Sequence, residues 1–177
     1  LTDRAERVSL YRDQEETLMI MRISAALAFG LLASGARAAP TDELMTAPRA
    51  FIAGLDAGKI DDAAATMTAD ATMIDEFPPH AWSGPDAFKR WLADFAASNT
   101  AAHITGGKVK LGDPIVEQAT GDVAYVVAAA SETYKQNGVR MAETARMVFA
   151  LRREGGSWKI ASWAWAGRKP HPAVKGS

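Results

Sequence analysis

Apolar positions in this chain follow two periods, one after the other. Phe51, Ile52 and Leu55 share one face of a helix predicted over Thr46–Ala57, with Pro48 in its first turn and Gly58 at its C-terminal cap. Asp61 or Asp62 caps a short Ala-rich helix through Met67. Phe88, Trp91, Leu92 and Phe95 then recur at the i, i+3, i+4, i+7 spacing of a core-facing stripe, which predicts a helix from Pro85 to Ser98. Between these helices, Ala71–Asp75 reads as a short strand and Glu76–Trp82 as a proline-containing loop.

After Ala102 the period drops to two. Ile104–Val116, Val123–Lys135, Val139–Arg152 and Trp158–Trp165 read as four strands of a meander. Their turns are Thr120-Gly121-Asp122, Asn137-Gly138 and Glu154-Gly155-Gly156-Ser157. Asn-Gly favours a two-residue type I′ turn because both positions tolerate positive φ. Helices first and antiparallel strands afterwards define an α+β fold with the helices on one sheet face.

The Asn-Gly turn also sets a register. If Gln136 and Val139 flank it, Tyr134 faces Met141, Glu132 faces Glu143, Ala128 faces Met147 and Val126 faces Phe149, all on one face. That face is apolar except for the two glutamates, as expected of a concave surface. Opposed carboxylates resist ionising together, so the pair supplies an acid or grips a cationic group. A one-residue bulge, or a rim position where water screens both, is the alternative. Arg146 falls on the opposite face, across from Ala129, as an exterior ion pair, dimer contact or carboxylate ligand. Trp163 and Trp165 alternate onto one face of the last strand and Trp158 onto the other, to wall a pocket or to pack in the core.

Composition narrows the chemistry. The 177 residues hold 20 Lys+Arg against 21 Asp+Glu, and no cysteine. A net charge of -1 argues against a nucleic-acid binder working through bulk positive charge. Without cysteine there are no disulfides, thiolate nucleophiles or cysteine-ligated metals. His80, His103 and His171 are scattered and form no metal-ligand pair, so no metal is expected. No phosphate loop, nucleotide fingerprint or nucleophile elbow is present, and no cofactor is implied.

The N-terminal region carries an address. Residues 21–38 combine Arg22, an apolar run from Ile23 to Leu32 and the small-x-small ending Ala36-Arg37-Ala38, the pattern of a cleaved signal peptide. The apolar run is shorter than the roughly 20 residues of a spanning helix, so no stable membrane anchor is expected. Periplasmic or secreted protein beginning at Ala39 follows. Residues 1–20, eight of them charged, read as an upstream extension, with the start at Met19 or Met21. Residues 42–167 are then the folded domain and 168–177 a flexible tail.

Particular words in the sequence carry a resemblance. They are Phe51-Ile52-Ala53-Gly54-Leu55-Asp56-Ala57-Gly58-Lys59, Ala69-Asp70-Ala71-Thr72, Ser83-Gly84-Pro85-Asp86-Ala87 and Gly156-Ser157-Trp158-Lys159-Ile160. In this order they resemble the nuclear transport factor 2-like superfamily, within it the SnoaL-like and ketosteroid-isomerase-like proteins. The resemblance implies a curved sheet wrapped around a long helix, a cone with an apolar pocket at its open end. It also implies a homodimer and a hydrophobic or amphipathic small molecule as partner. Members include isomerases, dehydratases, cyclases and non-catalytic domains, so the fold leaves function open.

In the isomerase template the general base falls on Asp75. The tyrosine proton donor falls on Phe51, and the second oxyanion partner on Met147 or a neighbour. Losing both donors disfavours steroid isomerisation. Asp75, beside Phe77 and Trp82, is either a desolvated general base or a solvated carboxylate at a strand end. His80, Glu132 and Glu143 are its candidate helpers in cofactor-independent proton transfer. The expected pocket is lined by Phe51, Leu55, Trp82, Trp91, Met147, Phe149, Trp163 and Trp165. A non-catalytic binding or dimerisation module, its pocket filled by its own side chains, is the competing reading.

Overall fold

The computed structural model describes residues 41–173, and the predicted signal segment lies outside the described residues. The helices of the described residues are α1 (Thr41–Asp56) and α2 (Ile60–Ala65), ahead of the first strand, and α3 (Ala87–Ala101), ahead of the long meander. The strands are β1 (Met67–Ile74), β2 (Ala81–Trp82), β3 (Ile104–Thr120), β4 (Val123–Gln136), β5 (Val139–Glu154), β6 (Ser157–Gly167) and β7 (His171–Pro172). The fold is α+β, with a curved sheet in the order β2-β1-β6-β5-β4-β3 and β7 paired to β5. Every pairing is antiparallel except β1 with β6.

Helix α1 begins five residues before the expected Thr46, which places Pro48 inside the helix rather than in its first turn. A proline there removes one backbone hydrogen bond, and the burial of Leu44, Met45, Phe51 and Ile52 opposes that loss. Gly54 lets α2 approach: a Cβ on it would stand 2.9 Å from the Ala63 nitrogen. Asp61 and Asp62 occupy the first turn of α2, where their charge suits the helix dipole, and Lys59 is the N-cap residue. The loop after β1 contributes β2, whose Trp82 pairs with Met73.

The β4–β5 hairpin keeps the predicted register throughout, with Tyr134 opposite Met141, Glu132 opposite Glu143, Ala128 opposite Met147 and no bulge. The β5–β6 register, in contrast, shifts between Ala150 and Leu151: Ser162 pairs with Ala150 and Ile160 with Leu151. Ala161 is therefore an extra residue, and the bulge resets the alternation. Trp158, Ile160, Trp163 and Trp165 pair with Arg153, Leu151, Phe149 and Met147, which alternate along one face of β5. All three tryptophans share the concave face, which corrects the placement of Trp158 on the opposite one. Arg146 is exposed on the convex face, opposite Ala129 as expected.

The core lies between this concave face and the helices, around Phe51, Met73, Val126, Phe149 and Ile160. Trp158 closes its far end beneath the Arg153 guanidinium, 4.4 Å from the ring centroid. In the segment expected as a flexible tail, His171 and Pro172 pair with Ala142 and Met141, and Ala173 N–H donates to the Arg140 carbonyl at 2.8 Å.

Candidate functional site

At the open end the core gives way to a cavity of about 340 Å³. Its floor and walls are apolar: Phe51, Ile52 and Leu55 from α1, Trp91, Leu92 and Phe95 from α3, and Met147, Trp163 and Trp165 from the sheet. The helical stripe predicted for α3 provides one wall, because its 3.6-residue period brings Trp91 and Phe95 onto the same side. These rings hold each other in place. Trp91 stacks on Phe95 with centroids 5.3 Å apart and meets Trp163 edge-on at 5.1 Å. Gly106 and Gly107 complete the rim where the β3 ladder is interrupted, and a Cβ on Gly107 would stand 2.9 Å from Glu132 Oε1.

Four carboxylates face this cavity from different elements: Asp75 and Glu76 after β1, Glu132 on β4 and Glu143 on β5. Asp56 at the end of α1 is a fifth, at the edge. Asp75 accepts two hydrogen bonds, from the Trp91 indole N–H at 3.0 Å and from the Glu76 backbone N–H at 2.8 Å. Burial nevertheless raises its pKa against those bonds. Glu143, 1% exposed, accepts the Trp165 indole N–H at 3.0 Å. Its pKa is raised by burial and by the Asp75 charge, against that bond.

Glu132 is pushed up to about 7 by burial, then by Glu143, Glu76, Asp75 and Asp56. Glu76 also rises to about 7, by burial and by repulsion from Glu143 and Asp75. Gly167 packs where these acids meet: a Cβ there would overlap Glu143 Oε1 and lie 2.8 Å from Glu76 Oε2. Tyr134, one pleat from Glu132, also lines the cavity, and burial and the nearby carboxylates raise its phenol pKa. Among the described residues, no Lys, Arg or His lines the void. The site can keep one acid protonated beside an ionised one, and supply negative charge to a cationic group.

The structure brings Asp75, Glu132 and Glu143 to one cavity with Phe51, Leu55, Trp91, Met147, Trp163 and Trp165. It places three other expected site residues elsewhere. His80 is exposed on its loop, and its ring Nδ1 lies 3.2 Å from the Asp75 carbonyl rather than its carboxylate. Trp82 is buried against Phe77, with its indole N–H donating to Asp94 at 2.8 Å. Phe149 is fully buried in the core below the cavity.

Glu76 and Tyr134 are members that sequence reasoning missed. Tyr134 had a signal, since the hairpin register put it on the face of Glu132. Glu76 had none, because it lies in a loop with no repeating period. Among the described residues, no group of His, Cys, Asp or Glu is placed to hold a metal ion.

A curved sheet closed by helices over an acidic, aromatic cavity defines the nuclear transport factor 2-like cone. The chain belongs to the SnoaL-like domain family, whose model matches residues 44–165. Solved structures share the fold at low identity. A ketosteroid isomerase-like protein from Erwinia carotovora atroseptica aligns with a TM-score of 0.56 at 22% identity, over 73% of this chain and 97% of its own. A putative scytalone dehydratase from Novosphingobium aromaticivorans gives 0.60 at 13% identity, over 75% and 86%. Hexachlorocyclohexane dehydrochlorinase from Novosphingobium barchaimii gives 0.63 at 12%, over 76% and 90%. No curated protein matches the chain.

Proposed function

We propose that the cavity binds a hydrophobic or amphipathic small molecule and moves a proton on it without a cofactor, Asp75 acting as base. The observation that carries this reading is Asp75 itself. Two N–H donors fix its carboxylate at the edge of an apolar void, while burial keeps it more basic than a surface aspartate. The proton leaves a carbon of the ligand for an Asp75 oxygen, and charge develops on the ligand's electron-accepting atom. Phe51 and Met147 offer that atom no donor, whereas the Tyr134 hydroxyl and a protonated Glu132 do. The matched structures named as an isomerase-like protein, a dehydratase and a dehydrochlorinase make this reaction class a natural one for the fold.

A generic carbon acid tests the base. 5-Nitrobenzisoxazole loses its C3 proton as the N–O bond breaks, giving a coloured cyanophenolate. The protein is expected to accelerate this over free acetate, and Asp75→Asn to remove most of the gain, on the order of 100-fold for a positioned base. Acceleration unchanged in Asp75→Asn, with unchanged circular dichroism, refutes the assignment.

Export and self-association complete the proposal. Cleavage after Ala38 delivers the domain outside the cytoplasm, and N-terminal sequencing of native protein reads it directly. A second copy covers the convex face, where Val116 and Tyr125 are 38% and 44% exposed. Light scattering at micromolar concentration is expected to give twice the mature mass.

A further inference from the structure

The acid inventory of the cavity is unbalanced. Asp75, Glu76, Glu132 and Glu143 face it from β4, β5 and the loop after β1, with Asp56 at the end of α1, and no basic side chain among the described residues lines it. Lys108 of β3 pairs with Asp56 at the edge of the cavity. Its ammonium is held outside, donating to the Asp56 carbonyl at 2.8 Å and lying 3.9 Å from Asp56 Oδ2. Acids buried together without a counter-ion lower stability, and such an arrangement persists where a ligand supplies the missing charge. An inorganic cation is a poor fit, because these acids are spread around the wall and do not converge as a metal site.

A second observation is independent of the carboxylates. Tyr134 is only 7% exposed and lines the cavity, yet its hydroxyl makes no hydrogen bond among the described residues. The hydroxyl itself is not among the buried polar atoms, so it opens onto the cavity, free to bond a ligand. The rest of the wall is aromatic: Trp91, Trp163 and Trp165 line the same space, with Trp91 stacked against both Phe88 and Phe95. Aromatic walls and carboxylates together recognise an ammonium group on an apolar body.

We infer that the natural ligand is a small organic amine, bound as its ammonium ion, with an aromatic or similarly sized apolar body. The ammonium donates to Glu132, Glu143 or Glu76 and to the Tyr134 oxygen, and the body occupies the space between Phe51, Leu55 and the tryptophans. A cavity of about 340 Å³ accommodates a molecule of this kind. The inference rests on the reading of this cavity as the ligand site and narrows it to one charge class.

Three probes of similar size separate the alternatives: 2-phenylethylamine, 2-phenylethanol and phenylacetate, titrated calorimetrically into the mature protein. At about pH 8 the amine is charged and Glu76 and Glu132 are largely ionised, so it is expected to bind at least about tenfold more tightly than the alcohol. Its advantage is expected to shrink towards about pH 5, as Glu76 and Glu132 take up protons, while the alcohol stays level. Glu132→Gln and Tyr134→Phe are each expected to weaken the amine several-fold and the alcohol by less, so that the amine's advantage narrows. Alcohol binding equal to amine binding overturns the ammonium inference and leaves the apolar-pocket reading standing. Tighter phenylacetate does the same. Binding of none of the three overturns both.

Discussion

Replacing Glu132 by glutamine is expected to stabilise the ligand-free protein at alkaline pH. Glu132 is half-buried, and its pKa rises from 4.5 to about 7, first through burial and then through Glu143. The folded state thus holds the proton more tightly than the unfolded chain does. That contribution is fully present below about pH 4.5 and is lost as pH climbs through about 7, because ionisation costs more in the cavity than in water. A displacement of this size corresponds to at most about 3–4 kcal/mol at 1.36 kcal/mol per unit. Water in the open cavity and the relaxation of Glu143 reduce the usable part to about 1–2 kcal/mol.

Wild-type stability should therefore fall between about pH 4.5 and 8.5, and Glu132→Gln should remove part of that slope. The Asp70–Arg152 ion pair does not interfere, since it holds Asp70 down at about 2 and acts only in more acidic solution. Urea unfolding followed by far-ultraviolet circular dichroism at several pH values gives the difference directly. Equal stability of variant and wild type at about pH 8.5, with parallel pH profiles, would refute the idea that burial and crowding strain this carboxylate.

Two further outcomes follow from the same geometry. Gly167→Ala places a methyl group into Glu143 Oε1 and 2.8 Å from both Glu76 Oε2 and the Trp165 indole nitrogen, so it should cost about 1–3 kcal/mol in urea unfolding. A silent substitution would mean that the acids are not packed as described. Isomerisation of an unsaturated ketosteroid, read from the absorbance of the conjugated enone, should be absent or very weak if, as the resemblance implies, Phe51 and Met147 fall at the isomerase's donor positions. A robust rate there would show that Tyr134 or a protonated glutamate replaces them.

Much of the fold was legible because its long elements obey one period each. The α3 stripe and the Asn137-Gly138 hairpin are local rules, and the hairpin rule carried the Glu132–Glu143 pairing across a whole strand pair without error. Where a long-range event broke the period, reading failed. Nothing in Trp158-Lys159-Ile160-Ala161-Ser162-Trp163 announces that Ala161 is extra, so strict alternation sent Trp158 to the wrong face.

The site was legible in proportion to how regular its supporting elements are. Glu132, Glu143, Met147 and Trp91 were found because strand and helix periods fix the direction of a side chain. Trp82 was misplaced because the loop before α3 closes into β2, turning its indole towards Asp94. Glu76 was missed because no period runs through the segment that turns it towards Glu143. What makes this cavity distinctive within a fold that hosts many chemistries is a sum over elements far apart in sequence. Four acids from three segments meet with no basic side chain of the described residues among them, and each alone reads as an ordinary surface carboxylate. The chemistry is thus set by the closure of the cone, which gathers charges that the linear chain keeps more than fifty residues apart, from Glu76 to Glu132.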